Sequence, residues 1–121
     1  MRIAVVGSRT ATVENLESYL PSDVSEIVSG GARGIDLCAA EYAEGAGLRL
    51  TVFLPEYERY GRAAPLKRND RIAEYADACL AFWDGASRGT QYTISQFRKR
   101  GKSVCVFKRS VDDGNWYRVS D

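Results

Sequence analysis

Histidine is absent from the 121 residues, methionine occurs once, and proline and cysteine occur three times each. Without an imidazole, Ser-His-Asp and Cys-His nucleophile systems, histidine general bases and every histidine-containing zinc site are excluded. Cys38, Cys79 and Cys105 lie far apart and form no C-x-x-C pair, so neither a zinc knuckle nor a disulfide framework is indicated. Three such thiols in apolar surroundings point to reduced packing residues and a cytoplasmic setting. No apolar run approaches membrane-spanning length, and the one in MRIAVVGSRT is too short for a signal peptide, so no membrane partner is expected. A large charge of either sign is missing too. The 17 Lys+Arg against 16 Asp+Glu leave a net charge of +1, which argues against a generally basic nucleic-acid binder while leaving local patches open. What is present, 45% hydrophobic and 27% charged, is the composition of a globular protein, at a length that predicts a single domain over residues 1–121.

Short apolar runs alternate with amphipathic stretches. Strands are predicted at 2–6 (RIAVV), 26–29 (EIVS), 48–54, 78–83 (ACLAFW) and 104–107, with 116–119, after the Asp112-Asp113-Gly114-Asn115 turn, as a candidate closing strand of antiparallel direction. Val13, Leu16 and Leu20 recur at helical spacing between a Thr12 cap and Pro21, which predicts a helix there. Further helices are predicted from Ile35 to the Gly45 and Gly47 stops, from Pro65 to about Tyr75, and over 90–100 before Gly101. The segment 56–65 lacks either period and reads as a long loop rich in Tyr and Arg. Trp83, ending an apolar run, reads as core. The pattern predicts an α/β protein: a doubly wound, mainly parallel, five-stranded Rossmann-like sheet with helices on both faces. Ligands of such sheets bind outside the carboxyl ends of the strands, where strand order reverses.

Three predicted strand-to-helix loops would meet at that edge: Gly7-Ser8-Arg9, Gly30-Gly31-Ala32-Arg33-Gly34, and Gly85-Ala86-Ser87-Arg88-Gly89-Thr90. Glycines let backbone amides approach an anion, helix N-termini add positive potential, hydroxyls donate, and guanidinium matches phosphate in a two-pronged way. Neither G-x-G-x-x-G nor G-x-x-x-x-G-K-[ST] is present, which disfavours dehydrogenase and P-loop chemistry. Asp36 follows the second loop, where it either accepts from a ribose or merely suits a first helical turn. Arg62, Lys67, Arg68 and Arg71 form a cationic group that is either a solvated face or part of the edge; Tyr57 and Tyr60 either stack on a base or pack under their loop. With Arg9, Arg33 and Arg88 added, a strongly cationic pocket is expected in a balanced chain.

The run Ser29-Gly30-Gly31-Ala32-Arg33-Gly34-Ile35-Asp36 followed by Ala39-Ala40, together with Val6-Gly7-Ser8-Arg9, resembles the SLOG superfamily. That group includes the DNA-processing protein DprA, the LOG nucleotide phosphoribohydrolases and small stand-alone YspA-type proteins, the last being most similar. The resemblance continues through Tyr60-Gly61-Arg62-Ala63-Ala64, Arg68-Asn69, Ala76-Asp77-Ala78 and Ser87-Arg88-Gly89-Thr90, to about Phe107. It implies a nucleotide or nucleotide derivative bound at the carboxyl edge by Gly7, Ser8, Arg9, Gly30, Gly31, Arg33, Gly34, Asp36, Arg68, Asn69, Ser87, Gly89 and Thr90. The resemblance is what adds Asn69 and raises Arg68 above surface charge. It also marks a departure, because the glutamates of the phosphoribohydrolase P-G-G-x-G-T-x-E-E element are here Tyr92 and Thr93.

The leading expectation is therefore a nucleotide-binding module of the sensor or carrier type, with no metal or cofactor, that forms homo-oligomers as resembled proteins do. The alternatives are a hydrolase of an N-glycosidic bond, which would have to recruit Asp36, Glu56 or Asp84 as its acid–base group, and a DprA-like binder of single-stranded DNA, which is less favoured.

Overall fold

A computed structural model describes residues 1–119. The strands are β1 (Arg2–Gly7), β2 (Glu26–Ser29), β3 (Arg49–Val52), β4 (Ala78–Phe82), β5 (Ser103–Arg109) and β6 (Trp116–Arg118); the helices are α1 (Ile35–Ala46), α2 (Tyr57–Tyr60), α3 (Ala64–Tyr75) and α4 (Arg88–Lys99). The strands form one six-stranded sheet in the order β3-β2-β1-β4-β5-β6, parallel except for the antiparallel β5–β6 pair. This is α/β architecture and fits a Rossmann-like fold. The order reverses between β1 and β4, whose ends pair at Gly7 and Phe82.

Alternation along β1 explains the layers. Ile3 and Val5 join Ile35, Ala39 and Ala43 of α1 in one buried cluster, while Ala4 and Val6 join Ile72 and Ala73 of α3 and Ile94 and Phe97 of α4 in another. Phe82 anchors the first cluster, stacked on Phe107 with ring centroids 5.1 Å apart and meeting Tyr19 and Trp116 edge-on. The helices carry the signals expected of their ends. Pro65 lies in the first turn of α3, Ser87 caps α4 by accepting from the Thr90 amide, and Gly47 closes α1 in the left-handed conformation.

Four expectations need correction. Residues 13–20 form no α-helix, only a single 3-10 turn at Leu16–Ser18 entered through Asn15 at φ 55°. The buried Val13 and Leu16 owe their spacing to a chain laid across the face of the sheet, not to a helical stripe. Residues 56–65 are not an open loop, because α2 and a 3-10 turn at Gly61–Ala63 lead directly into α3. The predicted strand at 48–54 shortens to Arg49–Val52, since Phe53 and Leu54 run past the end of β2. Trp83 is half-buried rather than core; its indole N–H donates to the Ser87 carbonyl at 3.0 Å, and Lys108 lies over its ring. Cys79 is buried and Cys38 and Cys105 are half-buried. Among the described residues no helix is long and apolar enough to cross a membrane.

Two polar arrangements away from the carboxyl edge hold the frame. Lys102 donates through Nζ to the carbonyls of Ala73, Glu74 and Ala76, at 2.7, 2.8 and 2.7 Å, closing the C-terminal end of α3. Lys102→Met keeps the stem and removes all three bonds; a loss of about 1–2 kcal/mol in urea unfolding is expected. Glu26 is buried at the start of β2. Burial alone would raise its carboxyl, but hydrogen bonds from Tyr75 and Thr51 and the nearby Arg49 outweigh that and hold it below the ordinary glutamate value. A carboxyl depressed in the folded state stabilises the fold above its unfolded pKa, and that contribution disappears as pH falls through the folded value. Stability measured from pH 7 down to pH 3 should therefore fall less steeply in Glu26→Gln than in the parent, from a lower starting point.

Candidate functional site

A cavity of about 400 Å³ opens at the carboxyl edge, where β1 and β4 part. Its floor is the end of β1 (Val6, Gly7) and Gly30 after β2; its walls are Asp36 of α1, Pro65, Leu66, Arg68, Asn69 and Ile72 of α3, and Ser87, Gly89, Thr90 and Thr93 of α4. Ser8, Arg9, Thr10 and Asp84 rim it. Of the thirteen residues predicted to face a ligand, Gly7, Ser8, Arg9, Gly30, Asp36, Arg68, Asn69, Ser87, Gly89 and Thr90 line this one cavity.

Glycines make the floor possible. A Cβ on Gly7 would sit 2.4 Å from the Phe82 carbonyl oxygen and 2.7 Å from Ile35, so only a bare backbone lets α1 and β4 close on this strand end. Gly34 has a different task from the one expected of it. It lines neither this cavity nor its neighbour; at φ 70°, ψ −124° it presses against the Ser8 and Arg9 backbone, which allows the Ile35 amide to donate to the Ser8 carbonyl at 3.2 Å. Gly31 and Arg33 also fall outside the main cavity. With Arg9, Gly30, Ala32, Leu37, Pro55 and Tyr57 they line a second one of about 450 Å³.

The charged centre is Arg68, 7% exposed, beside Asp36, 8% exposed. Arg68 donates through Nε to Asn69 Oδ1 at 2.7 Å and through Nη1 to the Gly30 carbonyl. Among the described residues Nη2 has no hydrogen-bond partner and is not buried, and Arg68 lines the cavity. Burial lowers the Arg68 pKa against the raising influence of Asp36. Burial likewise raises the Asp36 carboxyl, opposed by the Ala32 amide, which donates to Oδ2 at 3.2 Å, and by Arg68 and Arg9. Asp84 behaves oppositely. The amides of Ser87 and Ala86 donate to its Oδ1 at 2.7 and 2.8 Å and hold it below the ordinary aspartate value, so it shapes the turn into α4 as a fixed carboxylate. Hydroxyls complete the lining: Ser8 and Thr10 are 3.0 Å apart, Ser87 and Thr90 3.2 Å, and Thr93 donates to the Gly89 carbonyl.

The cationic edge is narrower than expected. Only Arg9 and Arg68 of the seven candidate cations line the main cavity, facing Asp36 and Asp84; Arg33 lines its neighbour. Arg62, Lys67 and Arg88 are exposed elsewhere, and Arg71 pairs with Glu56 at 3.7 Å while covering the Phe53 ring. That pair also takes Glu56 away from the cavity. Tyr92 turns aside as well, donating to Asp70 on α3 at 2.6 Å, whereas Thr93 stays in the lining. The sequence reading missed the lining hydroxyls of Thr10 and Thr93, and Thr93 could have been found. Its signal was present: Thr90, Thr93, Ile94 and Phe97 form the buried stripe of α4, and hydroxyls on such a stripe at a helix start have somewhere polar to point.

The chain is 34% identical over 87 residues, spanning 67% of its own length and 70% of the other's, to a protein of Mycobacterium phage D29 described as "Gene 61 protein". No family model matches the chain, and no solved structure matches it.

Proposed function

The chain belongs to the family of the Gene 61 protein of Mycobacterium phage D29, and for it we propose a SLOG-type, doubly wound domain that binds a nucleotide or nucleotide-derived small molecule at its carboxyl edge. The observation that carries this is one cavity at the reversal of strand order, where the α4 N-terminus, an amino group of Arg68 and five hydroxyls converge above a floor that includes Gly7 and Gly30. The phosphate sits at the α4 N-terminus, and Asp36 accepts from the sugar hydroxyls. Cations scattered away from the cavity favour a small ligand over a nucleic-acid strand, which needs a continuous basic track. Calorimetric titration with AMP and with adenosine tests the assignment. AMP should bind saturably at one site and adenosine at least tenfold more weakly; equal binding of the two, or none, would overturn it.

One observation favours a second function, hydrolysis of an N-glycosidic bond: of Asp36, Glu56 and Asp84, only Asp36 is buried in the cavity, and burial raises its carboxyl in the direction a general acid requires. Release of adenine from AMP that stops in Asp36→Asn would establish it. AMP recovered intact after prolonged incubation would leave the binding module alone.

A further inference from the structure

Exposed apolar side chains concentrate beside the site. Tyr57 is 57% exposed and Leu37 52%, and both line the second cavity; Val52 and Leu54, also exposed, lie against Gly31 at its margin. Such surface is costly to leave in water, and here it borders polar and charged lining rather than other apolar surface. The two cavities adjoin at Arg9, Gly30 and Ala32, which line both. Their charge differs. The first sets Arg9 and Arg68 against two carboxylates, whereas the second holds Arg9 and Arg33 with no acid, and neither guanidinium makes a hydrogen bond or ion pair among the described residues. A flat ring with a negatively charged neighbour satisfies all of this, because guanidinium planes and a tyrosine face both stack on it. Tyr60, three residues on, is not available for that task, since Arg59 and Lys67 lie over its ring.

Resting on the nucleotide assignment above, we infer that the second cavity is the nucleobase compartment: the phosphate lies at the α4 N-terminus, the sugar passes Arg9 and Gly30, and the base stacks on Tyr57 beside Leu37. The compartment selects for an intact nucleotide over its sugar phosphate. The experiment compares AMP and ribose 5-phosphate by calorimetry on the full chain, in the parent, Tyr57→Ala and Tyr57→Phe, with sedimentation of each. The parent should prefer AMP, and Tyr57→Ala should lower the AMP to ribose 5-phosphate affinity ratio by between about fivefold and a hundredfold, while Tyr57→Phe keeps it. Equal affinity of the parent for both ligands, or an unchanged ratio in Tyr57→Ala, would overturn the compartment and leave the phosphate site standing. Failure of both ligands to bind would overturn the nucleotide assignment itself. A parent oligomer that Tyr57→Ala dissociates would show the patch to be a contact between copies of the chain and would overturn the compartment.

Discussion

Arg68→Leu should unfold at a melting temperature lower by on the order of 10 °C and should bind no nucleotide. The side chain is 7% exposed and supplies the donor to the Gly30 carbonyl, the partner of Asn69 and the cation acting most strongly on Asp36. Leucine fills the space but leaves the buried Gly30 carbonyl without its donor and Asp36 with the Ala32 amide and Arg9 alone to oppose its burial, a loss of about 3 kcal/mol. Arg68→Lys separates fold from function. A lysine ammonium can reach one of the two acceptors but not span Gly30 and Asn69 while presenting a third donor to the cavity. Differential scanning calorimetry should show a small loss of stability in Arg68→Lys, and AMP titration a loss of affinity of tenfold or more. Unchanged AMP affinity in Arg68→Lys would mean that the guanidinium braces the loop and does not touch the ligand.

Gly34→Ala carries the other large effect, and it falls on folding. The backbone at φ 70°, ψ −124° lies where only glycine is at ease, and an added Cβ would stand 2.4 Å from the Ser8 carbonyl oxygen and 2.6 Å from the Arg9 backbone. Both neighbours are main chain, so relief requires the 8–9 loop to lift from α1 and break the Ile35 to Ser8 hydrogen bond. A cost of about 3 kcal/mol or more is expected in urea unfolding, with part of the chain recovered unfolded on expression. Gly89→Ala is the matched control. Nothing lies within 4 Å of its Cβ, and alanine suits a helix better, so equal or higher stability is expected there.

These contrasts show what a sequence can and cannot convey about such a site. The alternation of apolar runs and glycine-rich turns placed five strands and three helices because side-chain period and turn chemistry are local. Chain direction across the sheet is not local, which is why the spacing of Val13, Leu16 and Leu20 imitated a helix in a segment that Asn15 turns the other way. Arg68 was readable in principle. Ala64, Arg68 and Ile72 recur every four residues on the buried side of α3, and a guanidinium on that stripe must have buried partners. Arg62, Lys67 and Arg71 are its sequence neighbours but occupy the solvent side, so charge clustering along the chain overstated the positive potential of the edge. The separate duties of the glycines were not readable at all. Gly30 lies under the Arg68 guanidinium, which a Cβ would approach to 2.7 Å, while Gly34 braces a loop; that distinction exists only once α3 has crossed the sheet.

The central claim is a location: a phosphate held at the carboxyl edge between the ends of β1, β2 and the start of α4. Amide chemical-shift mapping during titration with AMP tests it most directly. The largest shifts should fall on Ser8, Arg9, Gly30, Gly89 and Thr90, saturating together with one dissociation constant. Saturable shifts centred instead on the 112–115 turn, or on the Lys102 end of α3, would contradict it.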